Sequence, residues 1–79
     1  MTVAELERIV TLLKNYDEHL RDKAEHCANM MADWADESQS ETIRYAEKYS
    51  VVRIERQRVH DSLFELEMEI KGLHGKPEQ

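Results

Sequence analysis

Seventy-nine residues, 9.4 kDa in all, allow one domain and too little buried volume for a deep internal cleft. Charged residues make up 35% of the chain, 17 acidic against 11 basic, and the net charge of −6 argues against general attraction to nucleic acid. With 41% apolar residues, 2 glycines and 1 proline, wholesale disorder and a turn-rich β architecture are both disfavoured, and a helix-rich, all-α fold is expected.

The first helix start is marked by Thr2-Val-Ala-Glu5, in which a hydroxyl and a carboxylate three residues apart can satisfy each other's orphan backbone donors. Helical spacing then predicts a helix over about 3–34. Ala35-Asp36-Glu37 interrupts the apolar pattern, so a turn is expected near 35–38, followed by a second capping signal, Ser38-Gln-Ser-Glu41. The second helix is predicted over about 39–71. Gly72 is the expected stop, its missing Cβ permitting a left-handed cap with Leu73 folded back on Met68. The hairpin domain is thus predicted over 1–73, with 74–79 as a flexible tail. The opening residues lack a basic leader and an apolar export run, no stretch approaches a membrane span, and the single Cys27 cannot form an internal disulfide. A cytoplasmic location is expected, with no membrane association.

A strict 3-4 alternation selects Val3, Leu6, Val10, Leu13, Asp17, Leu20, Ala24, Cys27, Met31 and Trp34 on the first helix. On the second it selects Thr42, Tyr45, Tyr49, Val52, Arg56, Val59, Leu63, Leu66, Ile70 and Leu73. Such a repeat suits two helices meshing at a small angle, as in a coiled coil. A short turn makes them antiparallel, so the numbers of facing residues should sum to about 76, with Leu6 facing Ile70, Val10 facing Leu66 and Ala24 facing Val52. Two polar residues interrupt the rows in adjacent layers. Asp17 and Arg56 should therefore form a partly buried ion pair that sets the register.

The rows leave apolar side chains unused: Ile9, Leu12, Tyr16 and Met30 on the first helix, and Ile43, Val51, Ile54, Phe64 and Met68 on the second. A single two-helix seam buries its residues only in part, and ordering each backbone residue costs roughly 1 kcal/mol or more, so a lone hairpin would be marginal. Pairing of two hairpins as a homodimeric four-helix bundle would cover the surplus. The candidate dimer or partner contacts are Ile9, Tyr16, Met30, Trp34, Ile54, Phe64 and Met68.

The polar residues make poor catalytic machinery. His19 and His26 lie roughly 10 Å apart along the helix with Asp22 between them, too far to grip one metal ion without help from another chain. Cys27 and His26 point about 100° apart, and the run His60-Asp61-Ser62 cannot converge as a triad for the same reason. No metal, cofactor or enzymatic activity is expected. The reading that fits is a non-catalytic interaction module, an adaptor, regulator or inhibitor acting through a helical face. One alternative is a nucleic-acid-binding hairpin dimer using Arg44, Lys48, Arg53 and Arg58. Another is an acidic inhibitor that occupies a partner's nucleic-acid-binding surface, using the carboxylates concentrated over residues 15–37.

Overall fold

The computed structural model describes residues 1–75. Two helices, α1 (Val3–Trp34) and α2 (Gln39–Gly75), pack along their length as an all-α hairpin measuring 66 × 15 × 15 Å.

α1 begins where the capping signal places it. The Thr2 hydroxyl accepts from the Glu5 backbone N–H at 3.2 Å, and the Glu5 carboxylate accepts from the Thr2 N–H at 3.4 Å. These bonds satisfy donors that the first helical turn cannot pair internally. At the far end the Trp34 carbonyl accepts from the backbone N–H of Glu37 at 3.0 Å and of Ser38 at 2.9 Å, which closes the turn. Ser38 then opens α2: its hydroxyl accepts from the Glu41 N–H at 3.3 Å, and its carbonyl accepts the Thr42 hydroxyl at 2.7 Å. The Glu41 carboxylate lies 3.4 Å from Arg44, one turn into the helix.

The C-terminal boundary differs from the sequence expectation. α2 does not stop at Gly72; it runs through Leu73 and His74 to Gly75, and no glycine among the described residues has a positive φ. Leu73 therefore does not fold back as part of a left-handed cap, and it remains 38% exposed beside an exposed Met68. Glycine permits a left-handed stop without imposing one, and here the hydrogen-bond ladder simply continues. Of the expected tail, His74 and Gly75 are helical, and 76–79 lie outside the described residues. A Cβ at position 72 would meet nothing within 4 Å. Gly72→Ala is accordingly expected to stabilise the protein by about 0.5 kcal/mol, through less freedom in the unfolded chain. Thermal unfolding checks this, because a left-handed cap at Gly72 would make the same change destabilising.

The 3-4 rows supply the interface. Every α1 member from Val3 to Trp34 is buried or half-buried, and so is every α2 member from Thr42 to Ile70. Among the described residues only six are buried outright, Leu6, Val10, Leu20, Ala24, Cys27 and Val59, and none of these is fully closed off. A two-helix seam has no third layer to roof it, so most of its side chains keep one edge in solvent.

Candidate functional site

Half-way along the hairpin, the fifth turn of α1 brings Asp17 against one turn of α2. Arg56 donates from Nε to Asp17 Oδ1 at 3.0 Å and from Nη2 to Oδ2 at 3.4 Å, a two-pronged pair linking residues far apart in the chain. His60, one turn further along α2, reaches the same carboxylate, with Nε2 2.9 Å from Asp17 Oδ1. Together they bracket the layer of buried Val59. The side chains of Asp17 and Arg56 keep only 19% and 28% of their exposure, against 48% for His60. The Arg56 hydrogen bond holds the Asp17 carboxyl below its usual range; partial burial opposes this, and the His60 hydrogen bond adds to it. Asp17 in turn raises the already high pKa of Arg56. His60 escaped the sequence reading. Its signal was present in the spacing, since it follows Arg56 by four residues and so lies one turn along the same face.

Toward the turn, α1 and α2 enclose an open groove of about 830 Å³ lined by His19, Lys23, His26, Arg44, Tyr45 and Lys48, with Cys27 buried at its floor. The Tyr45 ring organises it: His26 meets the ring edge-on at 6.4 Å and 83°, while Arg44 and Lys48 lie 5.7 and 5.2 Å from its centroid. Of the cations proposed as a nucleic-acid patch, Arg44, Lys48 and Arg58 share one side of α2 and Arg53 does not. Arg53 rests on Tyr49, half a turn around the helix from Arg44. Among the described residues, no group of three or more His, Cys, Asp or Glu is arranged to hold a metal ion. No described helix is long and apolar enough to cross a membrane.

The candidate contact residues divide into two sets. Ile9, Met30 and Trp34 are half-buried along the flanks and end of the hairpin, so they contribute to the hairpin as well as to its surface. Tyr16, Ile54, Phe64 and Met68 stand 42%, 60%, 68% and 53% exposed. Leu12, Ile43 and Val51 join them as exposed apolar side chains. Phe64 and Met68 flank a shallow hollow with His60, Leu63, Glu67 and Lys71 along one flank of α2. The Lys14–Glu67 pair at 3.7 Å crosses between the helices nearby, but its side chains are more than half exposed, so it adds little.

The chain matches no protein-family model, no curated protein and no solved structure, and the fold and these surfaces are what bear on its function.

Proposed function

We propose that this chain is a non-catalytic protein-interaction module that works as a homodimer, two hairpins combining into a four-helix assembly whose outer helical surface engages a protein partner. The observation that carries this reading is the balance of apolar surface. Six of the described residues are buried outright, whereas Leu12, Tyr16, Ile43, Val51, Ile54, Phe64 and Met68 all stand more than two-fifths exposed. Soluble monomers seldom leave so much large apolar surface uncovered on so small a core. Covering part of it by association would add apolar burial that a single seam lacks.

Catalysis has little support. The groove beside Tyr45 is open, and two of its cations, Arg44 and Lys48, already rest on an aromatic ring. Binding of nucleic acid is the weaker reading, since Arg44, Lys48 and Arg58 make a thin patch interrupted by Glu47, and Arg53 lies on the opposite side of α2, within an acidic chain.

Sedimentation equilibrium from about 1 to 100 µM tests the proposal. The expected result is a reversible dimer whose unfolding midpoint rises with protein concentration. A stably folded monomer throughout that range, or firm retention on heparin at moderate salt, would count against it.

A further inference from the structure

α2 carries two rows of 3-4 spacing on opposite sides. One is packed against α1. The other runs Arg44, Glu47, Val51, Ile54, Arg58, Asp61 and continues to Glu65 and Met68, and every member is exposed, Val51 and Ile54 by 67% and 60%. Read in order, the first six are cation, anion, apolar, apolar, cation, anion. That order is complementary to its own reverse.

A second copy of α2 laid antiparallel along this face, centred between residues 52 and 53, sets Val51 opposite Ile54, Arg44 opposite Asp61 and Arg58 opposite Glu47. Two-fold symmetry makes each pairing twice. Other alignments fail. Sliding the partner by one heptad in either direction puts Val51 against Asp61 or Glu47, and puts Arg58 or Arg44 against Ile54. Sliding it by two heptads toward the C-terminus recovers Val51 with Met68 but buries Ile54 beneath Glu65. A parallel, in-register pair opposes Arg44 to Arg44 and Asp61 to Asp61.

We propose that the outer face of α2 is the self-association surface, and that the occupant is α2 of a second copy in this one antiparallel register. The inference rests on the homodimer reading above and specifies its geometry. The two α2 helices form the centre of the assembly and the α1 helices its outside. The overlap runs from about residue 39 to residue 66, roughly 42 Å of helix, and sets Met68 alongside the partner's turn. Within one chain, Arg44 contacts Glu41 and the Tyr45 ring, and Asp61 accepts from Gln57 at 3.0 Å. These are local contacts of exposed side chains, weak enough to rearrange when a stronger partner arrives.

Charge exchange tests the register. Arg44→Glu alone and Asp61→Arg alone are each expected to weaken the dimer about tenfold by sedimentation equilibrium, because each reversal places like charges together at two symmetry-related points. Asp61→Arg does so while lowering the net negative charge, which on general grounds would favour association. Both changes in one chain are expected to restore the dissociation constant to within about threefold. Residues 44 and 61 lie roughly 25 Å apart along one helix, well beyond the screening length of about 8 Å in physiological salt, so that rescue must come from between chains. The exchange Glu47→Arg with Arg58→Glu should behave alike, with circular dichroism as the check that each variant remains helical. A dimer that persists with no weakening by the single changes, or no rescue by the pair, overturns this register but leaves self-association standing. A wild-type chain that sediments as a folded monomer overturns both.

Discussion

Leu20→Ala is expected to lower the unfolding free energy by about 3 kcal/mol and to leave the chain largely unfolded at low micromolar concentration. Leu20 is 4% exposed and belongs to the layer beside Asp17 and Arg56, with buried Ala24 one turn further on. Truncation removes the transfer free energy of the deleted carbons, and a gap remains because the two helices cannot close it without disturbing the ion pair. With six of the described residues buried outright, the hairpin has little reserve against such a loss. Chemical denaturation followed by far-ultraviolet circular dichroism measures the effect. Leu12→Ala serves as the control: at 58% exposure it should change the stability of the isolated fold by no more than about 0.5 kcal/mol.

The second large effect concerns Asp17. Asp17→Leu is expected to cost about 2 kcal/mol, because Arg56 is left three-quarters covered without its acceptor and His60 loses its carboxylate. A fully buried pair would cost roughly 3–5 kcal/mol when broken, and the remaining exposure of both side chains reduces that figure here. Arg56→Leu should cost less, since Asp17 keeps its contact with His60. The double variant should recover much of the loss, as two leucines extend the apolar row through the layer. The coupling between the two positions is expected at about 1 kcal/mol or above, and additive single effects would refute the pairing.

The same cluster sets an acid limit. Pairing depresses the folded-state pKa of Asp17 below its ordinary 3.8, so its contribution is fully present above that value and is lost as pH falls through the lower folded-state value. Wild-type stability should therefore decline below about pH 4. Asp17→Asn, which cannot titrate, should show a smaller decline over the same window, and urea denaturation between pH 5 and pH 2 makes the comparison.

Several parts of the structure could be read directly from the chain. Both helix starts were marked by hydroxyl residues followed at three positions by glutamate, because the first turn of any helix must find outside acceptors for its N–H groups. The 3-4 rows identified the side chains that face inward, and the two charged interruptions, Asp17 and Arg56, met because each broke its row in adjacent layers. Periodicity works well here because a long two-helix hairpin has almost no contact that does not follow from helix geometry.

Where the reading fell short, a contact outside that geometry decided the outcome. His60 occupies a flanking position that periodicity treats as solvent, and its approach to Asp17 depends on how closely the helices lie. Arg44, Lys48 and Arg53 read as free cations in the sequence, yet each rests on a tyrosine of α2. Gly72 carries a stop signal that the helix ignores, since a residue able to turn left does so only when later residues gain by it.

The sequence by itself determined the helices, their facing rows and the surplus of apolar side chains, because helix geometry converts spacing into direction without reference to distant atoms. The tertiary structure alone decided which surplus residues stay exposed. Ile9 and Met30 are drawn into the flanks, while Val51, Ile54, Phe64 and Met68 stand clear. The physical reason is that exposure depends on the separation and rotation of two packed helices, which no single helix can specify.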